Sequence, residues 1–240
     1  MTADIRRAGD RLHTRTDWLD SRHSFSFGEH YDPDNTHFGL LLASNEDTVR
    51  AESGFDTHPH RDMEIVTWVL SGALMHQDSE GNADVVYPGL AQRVSAGTGI
   101  LHSERNAGDD PVHFVQMWVP PDQPGRTPGY EQLDIGAELA GGGLVLVASG
   151  MTNHSGAAAI RINQPHAALH IARLHPGGEV AVPAAPFAHV FVADGQIELE
   201  DQGELCAGDA ARLSAADGER VIAGGAGAEV LLWEMHTQMG

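Results

Sequence analysis

The apolar residues of this 240-residue chain fall in short runs rich in β-branched side chains, separated by turn-forming residues at intervals of roughly 8 to 14 residues. Runs of this length and composition predict β-strands joined by turns, so the fold is expected to be all-β. Only Tyr130–Leu139 and Trp18–Asp20 hint at helix, and any helix is expected at the periphery. Seven runs carry the pattern: Gly39–Ala43, Ile65–Leu70, Val112–Val119, Leu144–Ala148, Leu169–Leu174, Val190–Ala193 and Val230–Trp233.

The two halves of the chain resemble one another. The segment Val69–Gly81 of the first half matches Val192–Gly203 of the second, and each half continues into a further strand-like run that contains a tryptophan. The offset between the halves is 123 residues at the Gly72/Gly195 pair and becomes smaller toward the C terminus. This is the pattern that a duplication with short loop deletions leaves, and it predicts two similar barrels in tandem.

A segment rich in proline and glycine separates the two halves. Pro120–Gln132 contains four prolines and two glycines, and Gly141–Gly143 follows shortly after. Such composition is typical of a connection between folded units. We therefore predict two antiparallel β-barrels of the jelly-roll type over residues 1–120 and 144–240, joined by a linker over 121–143.

The charge balance excludes several classes of partner. The chain has 34 acidic and 14 basic side chains, a formal net charge of −20, and no lysine. A phosphate-binding loop lysine and a broad basic surface for nucleic acid are therefore excluded. The N-terminal residues lack the apolar segment of a secretion signal, and the most apolar stretch, Leu144–Val147, is far too short to span a bilayer. These features predict a cytoplasmic protein that binds no membrane, in which the single cysteine, Cys206, is a structural thiol.

Four metal-ligating residues stand out among 15 histidines and 34 acidic residues. His58 and His60 form one pair spaced i, i+2, and His102 and Glu104 form a second pair with the same spacing. Side chains two residues apart on a strand project to one face, so two neighbouring strands can direct all four side chains at one ion. Three imidazoles and one carboxylate suit Fe(II), Mn(II), Ni(II), Cu(II), Co(II) or Zn(II) and leave coordination positions open for chemistry. Because imidazoles must be neutral to bind, affinity is expected to fall below about pH 6.

The remaining candidates allow structural interpretations. An isolated pair of histidines is a weak signal, and it is the second pair that favours a metal site over solvated surface histidines. One of His23 and His30 lines a pocket, or both simply bind backbone groups. His76 and His113 are expected to form structural hydrogen bonds. Glu64 is a ligand, a surface ion-pair partner or, as we favour, a group that orients a ligating histidine through a hydrogen bond.

Three segments resemble a known family. Ser21–Pro33, His58–Gly72 and Gly97–Asn106 are similar to the pirins of the cupin superfamily, and the chain length resembles the short bacterial pirin-like proteins, some of which are quercetin 2,3-dioxygenases. The resemblance is specific over Ser21–Pro120 and rests on length and the internal repeat beyond it. It implies a bicupin with one mononuclear metal, usually iron, in the N-terminal barrel.

The resemblance also implies roles for individual residues. The ligand positions of the family fall on His58, His60, His102 and Glu104. Glu64 occupies the place of the carboxylate ligand of other cupins, whereas pirins use the position of Glu104. When the offset of the internal repeat is applied to the four ligand positions, they fall in the second barrel near four residues that cannot hold a metal: Ala181, Pro183, Val221 and Ala223.

Two functions follow from the resemblance. One is a metal-dependent dioxygenase that opens the central ring of a flavonol such as quercetin, with Glu104 as the catalytic proton acceptor and with O₂ consumed and CO released. The other is a non-catalytic, redox-sensing regulatory protein, in which case the charge of −20 favours a protein partner over DNA.

Overall fold

The computed structural model describes residues 2–240, and nearly all of its regular structure is β-strand. The strands of the first half are β1 (Thr2–Arg6), β2 (Leu12–Arg15), β3 (Leu19–His23), β4 (Ala43–Val49), β5 (Gly54–His60), β6 (Glu64–Ser71), β7 (Leu74–Asp78), β8 (Ala83–Val86), β9 (Leu90–Ser95), β10 (Ile100–Asn106), β11 (Val112–Val119) and β12 (Gly129–Asp134).

One short α-helix, α1 (Gly136–Leu139), follows, and single 3₁₀ turns lie at Ala8–Asp10 and Thr152–His154 within residues 2–240. The strands of the second half are β13 (Val145–Ser149), β14 (Ile160–Arg161), β15 (Ala167–Leu174), β16 (Glu179–Ala181), β17 (Ala185–Leu199), β18 (Gly203–Cys206), β19 (Ala210–Ala216) and β20 (Arg220–Met235).

These strands form three sheets. A four-stranded sheet has the order β5-β10-β7-β8, and a seven-stranded sheet has the order β12-β9-β6-β11-β4-β3-β2. A nine-stranded sheet has the order β1-β19-β17-β20-β15-β13-β14, with β16 paired to β20 and β18 to β17. Pairing is antiparallel except between β13 and β14. The prediction of an all-β bicupin is therefore confirmed.

The seven-stranded sheet is buried on both faces. Along β11, Phe114, Gln116 and Trp118 face the four-stranded sheet, whereas Val115 and Met117 face the second half of the chain, where they pack near Trp233. Burial on both faces explains why the sequence of β11 reads as a nearly continuous apolar run without polar alternation. Because residues two apart on a strand point to the same face, Gln116 and Trp118 both point into the interior of the first barrel.

The second barrel has an apolar interior. Val190, Val192, Leu213 and Leu232 pack in its core. The glycine turns of the predicted repeat correspond, since Gly72 and Gly195 adopt φ angles of +78° and +75°, a left-handed conformation that favours glycine. A side chain at either position would also collide with the neighbouring strand.

Several local predictions differ from the structure. Trp18–Asp20 is not helical, because Leu19 begins β3 and pairs with β4. The helical hint over Tyr130–Leu139 was wrong for its first half, where β12 pairs with β9, and only one helical turn follows. The segment 121–143 thus contains an edge strand of the seven-stranded sheet, and the N-terminal strand β1 adds to the sheet of the second half. No helix within residues 2–240 is long and apolar enough to cross a membrane.

Candidate metal centre

Two neighbouring strands carry the four predicted ligands. His58 and His60 lie on β5, and His102 and Glu104 lie on β10, with His102 directly opposite His58. The register shifts between His102 and Glu104, as at a β-bulge, which changes the direction of the following side chain. The structure thus brings both predicted pairs together on adjacent strands of one sheet.

The three imidazoles converge. The ring centroids of His58 and His102 are 4.4 Å apart, those of His60 and His102 are 4.8 Å apart, and those of His58 and His60 are 4.9 Å apart. One nitrogen from each ring lies within 4.8 Å of the others, which is close enough for a shared metal ion. Glu104 forms a second such group with His102 and His76. Within residues 2–240, both groups lie in the first barrel.

The nitrogens of these rings fit a metal ion. His58 Nδ1 lies 2.7 Å from the carbonyl oxygen of Asp56, which can only accept, so Nδ1 carries the hydrogen and Nε2 keeps its lone pair. His60 Nε2 and both nitrogens of His102 are buried and have no hydrogen-bond partner within residues 2–240. Burial of an unsatisfied polar group costs about 1–3 kcal/mol, and coordination to a metal would remove that cost.

Burial also keeps the imidazoles of His60 and His102 neutral. It lowers the pKa of His60 to about 4 and that of His102 to about 3, and the neighbouring imidazoles add to the effect. Only the neutral ring offers a lone pair to a metal. Both side chains are therefore ready to bind at neutral pH.

A residue of the facing sheet holds Glu104. The side-chain amide of Gln116 on β11 donates to both carboxylate oxygens of Glu104, at 2.8 and 2.9 Å. The Trp118 indole N–H donates to Gln116 Oε1 at 3.0 Å, which fixes the orientation of the amide. Glu104 is 3% exposed, so these charge-assisted bonds form away from water. Sequence reasoning missed Gln116, although a single glutamine in the apolar run VHFVQMWV was the available signal.

His76 also belongs to the site. It lies opposite Glu104 on β7, is fully buried, and has its Nε2 3.2 Å from Asp78 Oδ2. The structural hydrogen bond predicted for His76 is thus present, but His76 also lies within metal-binding distance of Glu104 and His102. His113 has the predicted structural role, since its Nε2 lies 2.9 Å from Glu46 Oε1.

A cavity of about 780 Å³ opens from the histidine cluster. His58, His60 and Glu104 lie on its lining, which also contains a set of aromatic side chains: Trp18, Phe27, Phe55 and Trp118. Aromatic side chains that alternate with polar groups on one lining are typical of a site for a flat organic ligand.

Both histidines of the segment Ser21–Pro33 line this cavity. His23 Nδ1 lies 3.0 Å from Asn45 Oδ1, and its ring stacks on Phe27 with centroids 5.1 Å apart. Thr14 Oγ1 lies between His23 Nε2 and His30 Nε2, at 3.0 and 3.1 Å. The sequence left open whether these histidines line a pocket or bind backbone groups. Both line a pocket.

A buried carboxyl group lies on the same lining. Asp47 on β4 is 5% exposed, and its Oδ1 has no hydrogen-bond partner within residues 2–240. Burial raises the pKa of Asp47 to about 7, against a smaller opposing effect of a hydrogen bond with Ser21. The charge of Glu104 raises it further. No motif in the sequence singles out Asp47.

Glu64 does not orient a histidine, so the favoured prediction was wrong. Its carboxylate accepts hydrogen bonds from Ser95 Oγ at 2.7 Å and from the Asn163 backbone N–H at 3.0 Å, and the Asn163 side-chain amide donates at 3.2 Å. Asn163 is 99 residues distant in sequence. Glu64 therefore ties the first barrel to the second half of the chain.

Models of two protein families match the chain. The pirin family matches residues 5–119, and the quercetinase C-terminal cupin domain matches residues 146–235. A protein of Mycobacterium tuberculosis, provisionally named a quercetin 2,3-dioxygenase, is 59% identical over 240 residues, which cover 100% of this chain and 97% of that protein. The chain belongs to the pirin family. The predicted family resemblance is thereby confirmed.

Both comparisons, with curated proteins and with solved structures, also give matches from Escherichia coli. The quercetin 2,3-dioxygenase of strain K12 is 49% identical over 129 residues, covering 53% of this chain and 56% of that protein. The crystal structure of the bacterial pirin YhhW in complex with nickel(II) superposes with a TM-score of 0.88 at 33% identity, covering 98% of this chain and 100% of that one. The pirin fold therefore extends over both halves of the chain.

Proposed function

We propose that this pirin is a metal-dependent dioxygenase that opens the central ring of a flavonol such as quercetin. The observation that carries the proposal is that His58, His60 and Glu104 of the predicted metal site line a 780 Å³ cavity with aromatic side chains in its walls. A flat polyphenol can stack on such walls while one oxygen reaches the cluster. The names of the relatives favour this substrate class.

The metal would be held by His58, His60 and His102, with Glu104 as the fourth ligand. When bound, it supplies a Lewis acid that holds the flavonol oxygen beside O₂. We propose one ion per chain and Fe(II) as the native metal, with manganese, nickel, copper, cobalt and zinc as the alternatives. The second barrel supports this ratio, because Val221 and Ala223 are buried in its apolar core.

Glu104 is the proposed catalytic base. The O–H bond of the flavonol 3-hydroxyl breaks, the proton moves to a carboxylate oxygen of Glu104, and the electron pair stays on the flavonol oxygen. A carboxylate offers about four lone-pair positions, so the two hydrogen bonds from Gln116 leave room for this proton. Gln116 keeps the carboxylate in place before and after the transfer.

A polar strip on two adjacent strands would bind the other hydroxyl groups of the substrate. Ser21 and His23 on β3 lie directly opposite Asp47 and Asn45 on β4, and all four line the cavity. Their oxygens and nitrogens accept or donate hydrogen bonds at fixed points beside the aromatic side chains of the lining. This favours a hydroxylated ring over a purely apolar one.

The test is turnover of quercetin by protein of known metal content. Flavonol absorbance and O₂ uptake would be followed for the wild type loaded with each metal, after elemental analysis. Glu104→Gln should lower kcat by about 10²–10⁴-fold, because the amide cannot accept the proton. Glu64→Gln is the matched control, since its carboxylate is equally buried but lies outside the cavity lining. It should lower stability and keep most of the turnover.

Two outcomes would contradict the proposal. Full turnover by Glu104→Gln at wild-type metal content would remove Glu104 from the base role. No turnover by the wild type with any metal or polyphenol would favour the regulatory alternative, in which a protein partner reads the state of the metal.

A further inference from the structure

A second cavity lies between the N-terminal residues and the nine-stranded sheet. It is small, about 40 Å³, and its lining includes four arginines: Arg6, Arg7, Arg11 and Arg212. The whole chain has only 14 basic side chains and a net charge of −20, so this is a local concentration of positive charge in an acidic protein. Asp10 is the one acidic residue on the lining within the described residues 2–240.

Three of these arginines have carboxylate partners, and one does not. Arg6 pairs with Asp4, Arg7 with Asp209 and Arg11 with Glu46. Arg212 has no carboxylate within 4.0 Å among residues 2–240 and is only 5% exposed. A buried charge without a counter-ion is costly, which makes Arg212 the unusual member of the group.

Neutral groups accept the hydrogen bonds of Arg212. Its Nη2 donates to the carbonyl oxygen of Ser24 at 2.9 Å and to Asn35 Oδ1 at 2.8 Å, and its guanidinium carbon lies 4.4 Å from the centre of the Phe25 ring. Burial lowers the pKa of Arg212 to about 10, so the side chain is still charged at neutral pH. The positive charge therefore persists without a salt-bridge partner within residues 2–240, and the one carboxylate that acts on it is Asp4, opposite Arg212 on β1 and paired with Arg6.

Four buried polar atoms around this cavity lack a hydrogen-bond partner within residues 2–240: Arg11 Nε, Arg212 Nε, Ser24 Oγ and His189 Nε2. The residues that carry them all line the cavity. An arginine Nε–H can only donate, a serine hydroxyl can donate, and burial lowers the pKa of His189 to about 3, so its ring is neutral and can carry a hydrogen on Nε2. The two arginine Nε–H groups are therefore donors without an acceptor within residues 2–240, and Ser24 and His189 can each add a further donor.

We infer that this cavity is a binding site for one small monovalent inorganic anion, such as chloride, which lies between the Nε–H groups of Arg11 and Arg212. An anion satisfies the donors and supplies the counter-ion of Arg212, whereas a water molecule satisfies hydrogen bonds but leaves the charge unbalanced. A water needs about 10–15 Å³ of cavity volume, so 40 Å³ admits a halide and excludes a large organic anion such as gluconate.

The site joins distant parts of the chain. Arg11 follows β1, Ser24 follows β3, and His189 and Arg212 lie on β17 and β19 of the second half. An anion bound only in the folded state stabilises that state in proportion to its occupancy. The anion therefore stabilises the contact between the two halves of the chain. Its site is separate from the metal centre.

The first experiment measures thermal unfolding of the metal-loaded protein at constant ionic strength, with sodium gluconate replaced stepwise by sodium chloride. The wild-type midpoint should rise by roughly 2–4 °C or more and then saturate. Arg212→Met keeps the packing over Phe25 but removes the charge, and it should abolish the chloride response. Arg220→Gln, on an exposed arginine of β20, is the matched control and should keep the response.

The second experiment does not depend on how well the variant folds. Wild-type crystals grown in bromide should show one anomalous peak in contact with Arg11 Nε and Arg212 Nε. The inference is overturned by equal wild-type midpoints in gluconate and chloride, by an unchanged chloride response in folded Arg212→Met, or by the absence of the bromide peak.

Discussion

Replacement of Asp47 by asparagine tests whether the buried carboxyl group of the cavity is protonated in the folded protein. Burial raises the pKa of Asp47 from the ordinary 3.8 to about 7. The folded state therefore binds a proton between about pH 4 and pH 7 that the unfolded chain releases. The stabilisation from this proton is fully present below pH 4 and is lost as the pH rises through 7.

The magnitude follows from the difference between the two pKa values. Each pKa unit corresponds to about 1.4 kcal/mol, so a difference of about 3 in pKa changes the free energy of unfolding by roughly 4 kcal/mol. Asparagine does not titrate, so the variant lacks this loss. Relative to the wild type, the free energy of unfolding of Asp47→Asn should increase by up to about 4 kcal/mol between pH 4 and pH 8.

The assay is urea unfolding of both proteins at several pH values with a chelator present, followed by tryptophan fluorescence. The buried histidines have lowered pKa values and give the opposite pH dependence, but they are common to both proteins and cancel in the difference. Asp217→Asn, on an exposed carboxyl, is the control and should run parallel to the wild type. Parallel curves for Asp47→Asn would refute the reasoning, because they would mean that Asp47 is ionised in the folded state at neutral pH.

Two further predictions concern the metal centre and its supporting loop. The pKa values of His60 and His102, about 4 and 3, mean that at these two ligands protons compete with the metal near pH 4, and not already below pH 6 as the ordinary histidine value suggests. Elemental analysis after dialysis should find one metal per chain at pH 5 and loss near pH 4; loss already at pH 6 would contradict this. Gly97→Ala should lower the free energy of unfolding by more than about 1–3 kcal/mol, because Gly97 has a φ of +48° and an added Cβ would collide with the carbonyl oxygen of Arg126. Gly81→Ala is the control, because Gly81 has a φ of +95° but open space around it, so an alanine there adds backbone strain without a collision. It should lower the free energy of unfolding by less than Gly97→Ala in the same urea titration.

The sequence alone predicts the strand-rich fold and the histidine cluster, because both depend on local rules. Turn residues and β-branched runs act over a few positions, and the i, i+2 spacing directs His58 and His60 to one face wherever that strand lies. The internal repeat follows likewise from Gly72 and Gly195, which share a left-handed backbone conformation.

Only the tertiary structure decides what each face meets. Glu64 and Glu104 are both acidic residues that follow a predicted histidine ligand closely in the sequence, yet one binds Asn163 of the second half and the other binds Gln116 of the facing sheet. The alternation of side chains along a strand is a property of the backbone and can be predicted from the sequence. The contacts between two sheets depend on how the sheets stack, and no local sequence pattern predicts that. For the same reason, Arg212 and Ser24 come together across 188 residues of sequence.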